Sequence, residues 1–179
     1  MIYMSDELNA FEVIQIAIQI EKNGTRFYTT AAGLVDDPKA RGLLEQLAQW
    51  ERKHIQIFSD MGDRLSRQEG QSGPFEPYRG EVSEARMMAG LAVFGIQPDP
   101  RPHLTGKVTR RDILSFALKQ EKDSVTFYTG LTDFVPVLED REIIDRVLQE
   151  EIHHVRLLTE ALGSLAQDRE HRGRSSRKS

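Results

Sequence analysis

Apolar residues recur along this chain at the spacing of one buried helix face in four long stretches. In the first, Phe11, Ile14, Ala17, Ile18 and Ile20 precede Glu21, and Phe27 and Tyr28 follow it. Ser5 or Asn9 offers an N-cap, the latter with Glu12 in capping-box position. The stretch stops at "VDDP", a turn signal whose Pro38 suits the first turn of a second helix running to about Leu65. From Ser66 to about Lys107 the periodicity breaks into Gly, Pro, Ser and Gln, interrupted by "SEARMMAGLAVF", which reads as a short helix. Thr109 with Asp112 resembles a helix start and opens "TRRDILSFALKQEKDSVTFYTGLTDF"; after "VPV" a fourth helix covers Leu138 to Leu165. The polar end, "QDREHRGRSSRKS", reads as a disordered tail over 167–179.

Shifting the chain against itself by 100 positions exposes a repeat. Ala17, Glu21, Lys22, Phe27 and Tyr28 return as Ala117, Glu121, Lys122, Phe127 and Tyr128. Without a gap, the same shift returns Arg41, Gln49, Glu51 and His54 as Arg141, Gln149, Glu151 and His154. Each copy is a helix pair with a Glu on the first helix and a Glu-x-x-His on the second.

In an antiparallel hairpin, Glu21 faces Glu51 if the turn centres on Asp36, and Glu121 faces Glu151 if it centres on Pro136. Both positions lie inside the turn signals found independently above. Each Glu then sits ~22 Å from its turn at the helical rise of ~1.5 Å per residue, near mid-helix. Two hairpins packed with their turns at opposite ends bring all six side chains into one layer. That packing makes the second and third helices parallel, and it requires the long connector over about 66–108 as a crossover. The predicted class is all-α: a four-helix bundle of two duplicated hairpins, one domain over 1–166.

Composition narrows the chemistry. The chain has 179 residues, enough for one core without covalent staples. It contains no cysteine, which excludes disulfides and any thiolate metal site and leaves His, Asp and Glu as strong ligands. A formal net charge of -4 offers no global basic field for nucleic acid. The N-terminus lacks a leader pattern and no apolar run is long enough to span a membrane, so a cytoplasmic protein is expected. Four ionised carboxylates in one buried layer repel one another, and two divalent cations would cancel their charge. Carboxylate oxygens with one imidazole per metal suit iron or manganese, and zinc fits without redox chemistry.

The pattern "E21…E51RKH54…E121…E151IHH154" resembles that of the ferritin-like di-iron carboxylate proteins, bundles with a Glu from each of two helices and a Glu-x-x-His from each of the other two. The resemblance covers about residues 9 to 165. Ferritins, bacterioferritins and rubrerythrins share it, and the duplication looks most like a stand-alone rubrerythrin-like protein without its rubredoxin domain. It implies a ferritin-like fold in which Glu21 and Glu121 are terminal ligands, Glu51 and Glu151 bridge two metals, and His54 and His154 bind one metal each. It implies two Fe ions, with Mn or Zn as alternative occupants, and no catalytic residue beyond the ligands. The activity implied is oxidation of Fe(II) or reduction of O2 or peroxide, of ferroxidase or peroxidase type, with electrons for peroxide reduction from Fe(II) itself or from an external electron donor. Non-catalytic metal binding or iron storage with the same ligands is the alternative. The long connector suggests a homodimer or higher homo-oligomer.

Some positions compete with this reading or depart from it. Glu150-x-x-His153 forms a second register, but its residues align with Trp50 and Lys53 and so read as a flanking face. Tyr28 and Tyr128, two turns from Glu21 and Glu121 on the same face, and Trp50, beside Glu51, read as core packing, with a redox or ligand-supporting role as the alternative; Glu45 and Asp145 read as exposed ion pairs, with a role as acceptors behind the ligands as the alternative. The basic residues Arg169, Arg172, Arg174, Arg177 and Lys178 read as a solvated tail. Rubrerythrins usually carry an additional Glu three residues after the third-helix ligand; here Ser124 stands there, with Gly24 as its repeat partner, which weakens the peroxidase implication and brings the ligand set closer to that of bacterioferritin. A bundle whose central polar layer only fixes register is the structural alternative.

Overall fold

The computed structural model describes residues 10–68, 108–133, 135 and 137–175. These form four helices: α1 (Ala10–Leu34), α2 (Pro38–Gln68), α3 (Arg110–Leu131) and α4 (Leu138–Ser175), with no strand among the described residues. None of the four is long and apolar enough to cross a membrane. The expected caps at Ser5 and Asn9, the short helix in "SEARMMAGLAVF" and most of the long connector lie outside the described residues.

Local chemistry sets where the helices begin. Asp37 Oδ1 accepts the Ala40 backbone N–H at 2.8 Å, satisfying one of the unpaired donors at the start of α2, while Pro38 occupies the first turn, where no N–H is needed. At α3 the expected Thr109–Asp112 pair forms a complete capping box. The repeat extends to the hairpin turns. Arg41 Nε donates to the Val35 carbonyl at 3.1 Å, and Arg141 Nε donates to the Val135 carbonyl at 2.6 Å.

Contacts between helices fix their directions. α1 packs on α2 and α3, and α4 packs on the same two. Between α2 and α4, Trp50 meets His154, His54 meets Glu150 and Arg64 meets Asp140, so one index falls as the other rises and the helices run antiparallel. Tyr28 with Glu121 and Tyr128 with Glu21 give the same result for α1 and α3. Each hairpin is antiparallel too, so α2 and α3 run parallel, as the sequence predicts.

The core divides into two apolar halves. One contains Val13, Ile14, Ile16, Ala17, Ile18 and Ile20 of α1, Phe58 and Met61 of α2, Phe127 of α3 and Ile144 of α4. The other contains Phe27 and Ala31 of α1, Leu44 and Leu47 of α2, Ile113 and Ala117 of α3 and Leu158 of α4. On every helix the Glu and His of the repeat fall between the residues of these halves, so the polar layer is sealed at both ends by packed side chains.

The two copies differ where their surroundings differ. Glu12, Gln15, Gln19 and Asn23 form a stripe along α1 and are buried, whereas their counterparts Asp112, Ser115 and Lys119 are exposed and Asp123 is half-buried. Gln19 Nε2 donates to Asn23 Oδ1 at 2.8 Å, and Lys119 forms an ion pair with Asp123 at the same offset. The same i,i+4 pairing is neutral where it is buried and charged where water screens it.

α4 overturns one expectation. Residues 167–175, assigned above to a disordered tail, continue the helix to Ser175. Low apolar content says that a segment has little to bury, but Ala166, Gln167, Arg169, Glu170 and Arg172 favour helix, and extending a nucleated helix costs far less than starting one.

Phe58 is fully buried and stacks on Tyr128 with ring centroids 5.3 Å apart. We expect Phe58→Ala to lower unfolding free energy by about 3–5 kcal/mol. Thr109→Ala, which removes a cap at the bundle end, should cost only about 1 kcal/mol. Urea unfolding of the full chain followed by circular dichroism checks the order of the two effects.

Candidate metal centre

Each helix delivers its repeat residues to the middle of the bundle: Glu21 from α1, Glu51 and His54 from α2, Glu121 from α3, Glu151 and His154 from α4. None of the six is more than 4 % exposed. They form two overlapping groups whose candidate donor atoms lie within 4.8 Å of one another. Glu21, Glu51, His54 and Glu151 make the first; Glu51, Glu121, Glu151 and His154 make the second, so Glu51 and Glu151 belong to both.

Both histidines turn Nδ1 inward. His54 Nδ1 lies 2.9 Å from Glu151 Oε1, 3.7 Å from Glu21 Oε2 and 3.8 Å from Glu51 Oε2. His154 Nδ1 lies 3.4 Å from Oε2 of both Glu121 and Glu151. Despite this proximity, Nδ1 of both histidines, Oε2 of Glu121 and Oε1 of Glu151 are buried without hydrogen-bond geometry to any described partner. Inward-pointing donors that do not satisfy one another are costly in a dry core.

Two tyrosines tie the hairpins together. Tyr28 donates its hydroxyl to Glu121 Oε1, and Tyr128 donates to Glu21 Oε1, so each hairpin orients a carboxylate of the other. Both rings are fully buried, in agreement with the favoured core role, and their hydroxyls also make the carboxylate contacts that the alternative role required. The signal was spacing: each Tyr follows its repeat Glu by seven residues, two helical turns along one face.

The flanking register takes a different place. His153 is exposed, while Glu150, half-exposed, reaches His54 Nε2 at 3.2 Å from the side opposite the carboxylate layer. Its repeat partner Trp50 lies flat on His154, with centroids 4.8 Å apart and planes 18° apart. Glu45 and Asp145 are exposed on the outer faces.

Burial and crowding shift the titration of the side chains in the cluster. Burial, then the charges of Glu21 and Glu151, push Glu51 well above the ordinary carboxylate range. Burial and neighbouring Glu151 push Glu121 up to about 8. Burial acts the same way on Glu151, but the close approach of Glu121, His154 and His54 outweighs it and holds this carboxyl low. For His154, burial opposes the charge, yet the nearby carboxylates of Glu121 and Glu151 raise it to about 9. His54 rises in the same sense, because the charge of Glu21, the bond to Glu150 and the nearby Glu151 carboxylate exceed the cost of its burial. Tyr28 and Tyr128 are pushed up by burial and by the facing carboxylates, and so stay protonated as donors.

A small cavity of about 20 Å³ reaches the layer between α1 and α3, with Glu51, Glu121 and Tyr28 in its wall and Asn23, Gly24, Gln120 and Ser124 around them. The size is sufficient for about one water-sized molecule. Gly24 keeps the wall thin at this point. A Cβ there would lie 3.3 Å from Cγ and Cδ of Glu51, tight enough to press on its carboxylate.

No family model and no curated protein matches the chain. Among solved structures, it is similar to a Thermotoga maritima protein assigned as ferritin-like diiron-carboxylate, at 23% identity and a TM-score of 0.62 over 88% of this chain and 97% of that one. It is also similar to KatB, a manganese catalase from Anabaena PCC7120, at 16% identity and a TM-score of 0.62 over 93% of this chain and 81% of that one. At these identities the likeness speaks for architecture, and together with the four helices and their parallel inner pair it identifies the fold as the ferritin-like four-helix bundle.

Proposed function

We propose that the protein is a dinuclear metal carboxylate oxidoreductase that oxidises Fe(II) or reduces dioxygen or peroxide. Glu21, Glu51, His54 and Glu151 would hold one iron or manganese ion, and Glu51, Glu121, Glu151 and His154 the other. The observation that carries this reading is the overlap of the two groups in Glu51 and Glu151, the arrangement needed for two carboxylates to serve two metals at once. The residues fit such ions in kind. Hard carboxylate oxygens with one imidazole nitrogen per position suit iron or manganese, and inward-facing atoms without hydrogen bonds are donors awaiting an acceptor of electron pairs. Four carboxylates balance two divalent charges.

Two redox-active ions held by these residues would supply the two electrons that peroxide reduction requires, and either ion type fits the neighbours, one assigned as diiron and one a manganese catalase. The chain's own residues do the rest. Tyr28 and Tyr128 hold the outer carboxylates in orientation through their hydroxyls. The two apolar half-cores exclude bulk water, which strengthens every charge interaction inside. The cavity beside Gly24 and Ser124 favours an oxidant about the size of water over a bulky organic hydroperoxide.

Elemental analysis after Fe(II) saturation should find two metals per chain. Glu51→Ala and Glu151→Ala should lose both, whereas His54→Ala should lose mainly one. Full two-metal occupancy in Glu151→Ala, with circular dichroism showing a folded bundle, overturns the shared-carboxylate assignment. Stopped-flow mixing of the Fe(II)-loaded protein with oxygen or peroxide then separates turnover from storage with the same ligands.

Metal loading should also release protons from His54, His154, Glu51 and Glu121, whose protonated forms the metal-free site favours. Protons compete with the metal, so apparent affinity should rise with pH through the window of about 8 to about 9 set by Glu121 and His154. Calorimetric Mn(II) titration in buffers of different ionisation enthalpy measures the release.

A further inference from the structure

The two halves of the site are equivalent in their inward-facing residues but not in what stands behind the histidines. Positions 50 and 150 are partners in the repeat, and each side chain crosses between α2 and α4 to the imidazole of the opposite hairpin. At His54 the neighbour is a carboxylate, Glu150 Oε2, 3.2 Å from Nε2. At His154 it is the indole of Trp50, stacked face to face. Resting on the dinuclear reading above, we propose that Glu150 makes the two metal positions inequivalent, so that the His54 position binds more tightly and fills first.

The chemistry follows from which atom each imidazole offers. A neutral imidazole has one N–H and one lone pair. Glu150 accepts the N–H of Nε2 and so selects the tautomer whose lone pair is on Nδ1, the nitrogen turned toward Glu21, Glu51 and Glu151. A carboxylate in this place also raises the imidazole's donor strength and fixes the ring, and loss of such a partner typically lowers metal affinity about 10–100-fold. Trp50 supplies none of this. Its stacking restrains the plane of the His154 ring, but the indole nitrogen is a donor only and the ring face takes no in-plane imidazole N–H as a carboxylate does. Glu150 is half-exposed, so water weakens its bond and the effect belongs near the lower end of the range, at about 10-fold. Glu150 is therefore a positioning residue acting through His54.

The test uses the full chain, depleted of metal and titrated anaerobically with Co(II) at fixed pH, with binding followed by visible absorption. Wild type should bind in two steps. His54→Ala should remove the tighter step and His154→Ala the weaker. Glu150→Gln, similar in shape but without the charge, should weaken the tighter step about 10-fold and leave the weaker one in place, merging the two. Trp50→Glu should strengthen the weaker step by placing a carboxylate behind His154. Folding of each variant is confirmed by circular dichroism, and Glu150→Asp reports whether a shorter carboxylate restores the step. Two wild-type steps of equal affinity, a tighter step that belongs to His154, or unchanged affinities in Glu150→Gln each overturn the inference while leaving the dinuclear reading intact. Absence of tight Co(II) binding in wild type overturns both.

Discussion

The constraint on which this bundle depends is the burial of four carboxylates and two imidazoles in one layer. Removing an ion from water costs on the order of several kcal/mol even after relaxation. That cost appears in the layer as shifted titration: Glu51 and Glu121 are pushed up by burial and crowding, both histidines are raised by the carboxylates around them, and Glu151 is held low by its neighbours. Such a layer persists only if the surrounding packing over-determines it. Two apolar half-cores do so from opposite ends, since each helix enters both, and the two tyrosine hydroxyls tie the hairpins together across the layer itself.

This arrangement explains why the ends of the hairpins matter to the centre. The layer forms only when every helix is in the correct longitudinal register, and a slip of one turn would replace a carboxylate by an apolar side chain. Repeated Arg-to-carbonyl contacts at both turns, the Asp37 cap and the Thr109 capping box fix that register locally. Arg64 with Asp140 and Arg110 with Asp37 add ion pairs between elements, away from the centre.

Much of the fold was legible because its signals are periodic or repeated. The spacing of Glu21 to Glu51 and of Glu121 to Glu151 placed both turns, and those turns in turn implied a parallel inner pair of helices, as found. That six polar residues of the repeat would meet in one layer followed from the same arithmetic. Less legible were contacts set by rotamer and by interhelix distance. Spacing put the tyrosines on the ligand face, but which carboxylate each hydroxyl meets, like the Glu150 contact, depends on side chains crossing between hairpins, which no one-dimensional pattern records. The continuation of α4 to Ser175 was missed for a different reason: composition reports whether a segment can build a core, not whether an existing helix will propagate through it.

The crossed pairing has a consequence for how such a chain diversifies. Tyr28 serves Glu121, Tyr128 serves Glu21, Glu150 serves His54 and Trp50 covers His154, so a lone hairpin lacks half of every partnership. Two identical hairpins assembled as a symmetric dimer would complete them, but any substitution would then appear twice, once on each side of the axis. Joining the halves in one chain removes that restriction. Position 150 keeps a carboxylate while position 50 carries an aromatic ring, a combination closed to a strictly symmetric ancestor and open to its fused descendant.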